Sequence, residues 1–163
     1  MVAIFLPVVT VSLPLAAILP GLAARANARQ AANVSQQMLR DIESREDVDL
    51  LMRRFYERAM SDAVIGRIFT EVAQLDLEHH LPVIGDFWES TLFGTGVYSR
   101  HGRNPLLIHA ALDRKESLEP HHFRRWLELF FATVDESFTG MRANYAKQRG
   151  AAIAQRMTAY LAG

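Results

Sequence analysis

Three residues at helical spacing, His80, Ile84 and Trp88, put an imidazole, a branched aliphatic and an indole on one face of the stretch Leu75 to Phe93, because residues four apart stack on the same side of an α-helix. A plain core has little use for an imidazole in such a column. A second histidine, His109, lies beyond a glycine-bearing break inside its own apolar segment, Pro105-Leu-Leu-Ile-His-Ala-Ala-Leu112. Among Leu106, Leu107, Ile108 and Leu112, a neutral imidazole can direct one nitrogen at an iron while the apolar wall keeps water away. Two helical histidines facing each other across a gap point to a bound group between them; the plainer alternative is that His109 is structural. Tyr56 shares a stripe with Met52 and Phe55, so its hydroxyl needs a partner. That partner is either solvent or a backbone carbonyl, or a ligand in a pocket to which Tyr56 donates.

Other chemistries find less support. Of the six histidines, His101, His121 and His122 fall in a loop and at a polar helix start and read as solvated surface groups, and His79 leaves a one-residue ambiguity that the Ile84–Trp88 column resolves toward His80. Glu119-Pro-His-His122 fits the Glu-x-x-His spacing of a di-iron bundle once, and Asp76-Leu-Glu-His79 fits only with Asp in place of Glu; neither has the inward-facing neighbours such a site needs. No Gly-x-Ser-x-Gly elbow exists for a serine hydrolase. With no cysteine, disulfides, thiolate nucleophiles, cysteine-ligated zinc and iron–sulfur clusters drop out. Lys plus Arg equals Asp plus Glu at 18 each, which lacks the basic excess of a nucleic-acid binder.

The elements that must position these residues are helices. At 163 residues, 50% of them hydrophobic, the chain suits one domain with a substantial core, and apolar spacings of three and four favour an all-α fold. An amphipathic helix is expected from Asp41 to Met60, with Val48, Leu51, Met52, Phe55, Tyr56 and Ala59 inward. Ser61-Asp62 breaks it, and Ala63 to Thr70 reads as a turn carrying Ile65, Ile68 and Phe69. In the Leu75–Phe93 helix, Asp76 is the expected cap and Pro82 is placed in the first turn, where it loses no intrahelical donor. Gly94-Thr-Gly96 ends that helix, Val97 to Asn104 is a polar loop, and a short helix from Pro105 to about Leu112 carries His109. Pro120 opens a long helix whose stripe runs through Phe123, Trp126, Leu127, Phe130, Val134 and Phe138. After Gly140 a last helix follows, with Met141, Tyr145, Ile153, Met157, Tyr160 and Leu161 as its expected apolar contacts.

Residues 1–40 are expected to form an apolar N-terminal extension, and 41–163 the folded domain. No charged side chain occurs in residues 1–24, but prolines at 7, 14 and 20 argue against a straight membrane helix. Ala26-Asn27-Ala28 looks like a signal cleavage site, although no Lys or Arg precedes the apolar run. The extension therefore reads as non-native or disordered, with translation starting nearer Met38, or as a signal or anchor formed by residues 1–28. The first reading gives a cytoplasmic protein; the others give an exported protein or membrane contact.

Together, Phe55-Tyr56, Ile68-Phe69, His80-x-x-x-Ile84-Gly-x-Phe-Trp88, Tyr98-x-x-x-Gly102-x-x-Pro105-x-x-x-His109 and Phe123-x-x-Trp126-Leu resemble the group III truncated haemoglobins over roughly Val48 to Leu161. The resemblance implies a globin-like two-over-two helical sandwich around haem b that binds O2 and other diatomic ligands. It implies His109 as proximal iron ligand, Phe69 on the porphyrin face, and Tyr56 and Trp126 as hydrogen-bond donors to the ligand. His80 would be the distal histidine, Ile84 and Trp88 the distal wall, and Tyr98 a further haem-contacting residue. Two donors in a dry pocket make release slow, which suits sensing, nitric-oxide dioxygenation or peroxidase-like chemistry served by an unidentified reductase better than transport. The rival from another class is a cofactor-free helical interaction domain in which the histidines are structural.

Overall fold

The computed structural model describes residues 39–162, and residues 1–38 of the expected extension lie outside the described residues. Helix α1 spans Arg45–Met60. Its start lies past the expected Asp41, because Ser44 and Asp47 form a capping box there: Ser44 Oγ accepts from the Asp47 N–H at 3.4 Å, and Asp47 accepts from the Ser44 N–H at 3.2 Å and the Glu43 N–H at 2.9 Å. Asp47 is buried, and the Arg40 guanidinium supplies its counter-charge. The residues ahead of the cap serve the fold differently. Ile42 is fully buried, and Asp41 accepts from the backbone N–H groups of Arg142 and Ala143 at 2.9 and 2.8 Å, capping a distant helix.

A π-helical turn, Ile68–Val72, leads into α2, Leu77–Phe93. Asp76 caps α2 as expected, accepting from the Glu78 and His79 N–H groups. Pro82, however, falls inside the helix rather than in its first turn, since the cap sets the start at Leu77. Its cost is confined to the Glu78 carbonyl, close to the exposed end. Where a loop was expected, a 3-10 turn spans Val97–His101. Then follow α3, Pro105–Asp113, capped by Asn104; α4, Pro120–Ser137; and α5, Met141–Ala162.

Helices α1 and α2 pack as one pair and α4 and α5 as the other, and the core lies where α1 meets α4. Among the described residues the fold is all-α, with the expected two-over-two arrangement of helix pairs. Phe130 is its centre, fully buried, stacked on Trp88 at 4.9 Å and on Trp126 at 5.3 Å, with the Phe55 edge at 5.5 Å. Full burial of each such side chain contributes about 1.5–3 kcal/mol, and each aromatic pair about 0.5–1.5 kcal/mol more.

Helix α5 holds Ile153 and Met157 at the core as expected but departs from the expected face elsewhere. Met141, Tyr145 and Tyr160 are exposed, Met141 by 83%, and the buried stripe is Ala143, Ala146, Gly150, Ala154 and Met157. The reason is steric: a Cβ on Gly150 would lie 2.9 Å from the Phe130 ring, so α5 approaches α4 too closely for larger residues there. Among the described residues no helix is long and apolar enough to cross a membrane.

Candidate functional site

Between the two helix pairs lies a cavity of about 370 Å³, within the range of small-molecule sites. All eight residues singled out in the sequence line it: Tyr56, Phe69, His80, Ile84, Trp88, Tyr98, His109 and Trp126. They come from six elements, so the cavity is a product of the tertiary fold.

On one side stands α3, where Pro105 at the first turn and the Asn104 cap fix the helix start. His109 sits one turn on, and its Nδ1 lies 2.7 Å from the Pro105 carbonyl oxygen. A carbonyl only accepts, so Nδ1 carries the hydrogen, and the neutral ring leaves its lone pair on Nε2. A histidine oriented by a backbone carbonyl through one nitrogen is prepared to bind metal through the other.

On the other side, Tyr56 is buried, edge-on to Phe55 at 5.2 Å and to Phe69 at 5.8 Å. Burial pushes its phenol well above the usual range, so it keeps its proton. Its hydroxyl lies 3.0 Å from His80 Nε2. Burial, then the Arg103 guanidinium, holds His80 below the usual imidazole range, so at neutral pH this is a hydrogen bond between two neutral groups. If Nε2 carries the hydrogen it donates to the phenol oxygen, and the Tyr56 hydroxyl is free to donate into the cavity. The Trp126 indole also borders the cavity.

The π-helical turn delivers Phe69 and Ile68 to the cavity, and Tyr98, whose N–H donates to Ser90 Oγ at 2.9 Å, closes its edge against Phe87 at 5.2 Å. Gly85, inside the Ile84–Trp88 motif, is where α2 crosses α1. A Cβ there would meet Asp49 and Arg45, whose guanidinium bridges Asp49, Asp86 and Glu89.

Two histidines depart from the expected solvated surface. His101 Nε2 pairs with Asp86 at 2.9 Å, and His122 borders the cavity, with Nδ1 accepting from the Glu119 N–H at 3.0 Å. His122 stands one turn before Trp126 in the same column, a spacing that sequence reasoning passed over because His122 lies at a polar helix start. Arg103, also at the cavity, had no signal of its own. The two carboxylate-x-x-His matches are helix-end contacts: Asp76 with His79 at 2.7 Å, and Glu119 with His122. No cluster of three or more metal-ligating side chains occurs among the described residues.

The donor set fits a flat, iron-bearing macrocycle. It offers one neutral imidazole with a free Nε2, apolar and aromatic walls, and neutral hydrogen-bond donors in the same lining. Arg103, with no carboxylate within pairing distance among the described residues, could meet an anionic substituent.

No protein-family model matches the chain. A curated relative, "Group 3 truncated hemoglobin ctb" of Campylobacter jejuni, is 29% identical over 114 residues, covering 68% of this chain and 85% of that protein. The crystal structure of group III truncated hemoglobin from Campylobacter jejuni is similar with a TM-score of 0.66 and 28% identity, over 76% of this chain and 95% of that one. The chain thus has a truncated-globin fold, and the likeness to group III truncated haemoglobins carried by its motifs holds in both sequence and structure.

Proposed function

We propose that the protein binds haem b in the main cavity, with His109 as the iron ligand, and through it O2 and other diatomic ligands. The observation that carries this reading is the 2.7 Å contact from His109 Nδ1 to the Pro105 carbonyl, which leaves Nε2 as a lone-pair donor at the cavity wall. Haem iron supplies reversible binding and reduction of diatomic ligands. The chain's part is to hold the group, exclude water and place protons.

Phe69, Ile84, Trp88 and Tyr98 form the walls that exclude water, and Tyr56 and Trp126 present O–H and N–H donors. Both donors are uncharged, so a ligand gaining partial negative charge meets hydrogen bonds without a stranded cation beside it. His80 fixes the Tyr56 hydroxyl through the 3.0 Å contact and is the group positioned to gate entry or hand on a proton. Two donors slow ligand release, which favours sensing, nitric-oxide dioxygenation or peroxidase-like turnover, with a separate reductase, over transport.

The test is reconstitution. Hemin added to the purified chain should give a Soret band at one equivalent, and His109→Ala should lose most haem affinity while circular dichroism keeps its helical signal. A folded, colourless chain that ignores hemin would instead support a cofactor-free helical domain.

A further inference from the structure

A second cavity, of about 330 Å³, lies between the first turn of α3 and the outer face of α5. Its floor is apolar: Phe87, Pro105, Ile153 and Met157, which also border the main cavity. Two arginines, Arg149 and Arg156, also line it. They are seven residues apart on one face of α5, about 10 Å along the axis, within reach of a common ligand for two long side chains. Elsewhere on α4 and α5, Arg125 pairs with Asp62 and Glu128, and Lys147 with Asp135. Arg149 and Arg156 have no carboxylate within ion-pair distance among the described residues, and residues 1–38 contain no Asp or Glu. The start of α3, at Asn104, Pro105 and Leu106, turns the positive end of its dipole to the same space.

An apolar floor beneath two uncompensated guanidiniums matches one kind of small molecule. We propose that this cavity binds an amphipathic carboxylate of medium chain length, its head on Arg149 and Arg156 and its tail over Phe87, Ile153 and Met157. Arginine suits a carboxylate head because its planar fork can donate two parallel hydrogen bonds. The tail supplies most of the binding and the arginines supply the discrimination between an acid and a neutral analogue. Because Pro105 is both a wall of this cavity and the carbonyl partner of His109, an occupant here acts on the residue that orients His109.

Calorimetric titration of the purified full chain with decanoate, before and after saturation with hemin, tests the site. The expected result is one equivalent of decanoate bound in both conditions, with decanol and acetate each at least tenfold weaker. Arg149→Gln with Arg156→Gln should weaken decanoate at least tenfold. So should Ala152→Trp, which fills the second cavity from an exposed position that does not border the main one. Unchanged helical circular dichroism in the variants shows that the fold is intact. The proposal is overturned if hemin displaces decanoate, if the arginine pair can be replaced without loss, if decanol or acetate binds as well, or if only phosphatidylglycerol vesicles bind. A chain that takes no hemin but binds decanoate with this pattern defeats the haem reading and leaves this one standing.

Discussion

Replacing Tyr56 by Phe removes one oxygen from a ring that is 7% exposed and leaves its edge contacts with Phe55 and Phe69 in place. The fold should lose little. The 3.0 Å hydrogen bond to His80 contributes about 1 kcal/mol net, and no charge is stranded, since burial already keeps His80 neutral. The larger effect falls on a ligand in the cavity. A phenol donor in a dry site contributes about 1–2 kcal/mol, which converts to a roughly five- to thirtyfold faster O2 dissociation when it is lost. His80 moderates that figure, because without its oxygen partner the imidazole can turn and donate in its place. Tyr56→Phe, His80→Leu and the double variant therefore form a cycle, read by stopped-flow displacement of O2 by CO from the ferrous, hemin-reconstituted protein. The expectation is about tenfold for Tyr56→Phe. Direct contact also predicts a double variant departing from the product of the singles by about twofold or more, the effect of 0.5 kcal/mol or more of coupling. An unchanged rate in Tyr56→Phe with a normal Soret band refutes the donor role, and strict multiplicativity refutes the coupling through His80.

Three further outcomes follow from the packing and the charges. Gly150→Ala should cost about 0–2 kcal/mol by denaturant midpoint, because strain of about 1–3 kcal/mol against Phe130 is offset by about 1 kcal/mol of helix propensity, and Gly150→Val should cost more; a stabilised Val variant would contradict the close α4–α5 approach. Asp47→Ala removes the acceptor of the Glu43 and Ser44 N–H groups and the partner of Arg40, and should cost about 2 kcal/mol after allowing for the exposure of Arg40, so an effect under about 0.5 kcal/mol would deny the capping box its part. For His80, the depressed imidazole means that the unfolded chain binds a proton which the folded chain refuses once pH falls below about 6.5. That stability is fully present above this pH and is lost toward the lower folded value. The melting temperature should therefore fall between pH 7 and 5.5, with a shallower fall in His80→Leu and a remainder from His122, which burial also depresses; identical slopes would count against it.

How much of this was legible in the sequence depends on what periodicity can register. It marks faces by large apolar residues, so the inward stripe of α1 and the His80–Ile84–Trp88 column were readable, as was the apolar setting of His109 on α3. It fails where two helices cross closely, because the contact face then selects Ala and Gly. On α5 the eye follows Met141, Tyr145 and Tyr160, while Ala143, Ala146 and Gly150 make the contacts. Local polarity misleads in the same way for His101 and His122, whose partners Asp86 and the Glu119 N–H are set by tertiary approach and by a helix end.

The misreading of α5 bears on the site itself. Had Tyr145, Arg149 and Arg156 faced inward, α5 would stand farther from α4, and Phe130 could not hold its stacking on both Trp88 and Trp126 while touching the α5 backbone. Those two indoles border the main cavity, one from each helix pair, and both stack on the Phe130 ring that Gly150 touches. The same choice leaves Arg149 and Arg156 outside, beside an apolar hollow and without acidic partners among the described residues. One small residue at a helix crossing thus seats the ring on which both indoles stack and turns outward the face of α5 that lines the second cavity.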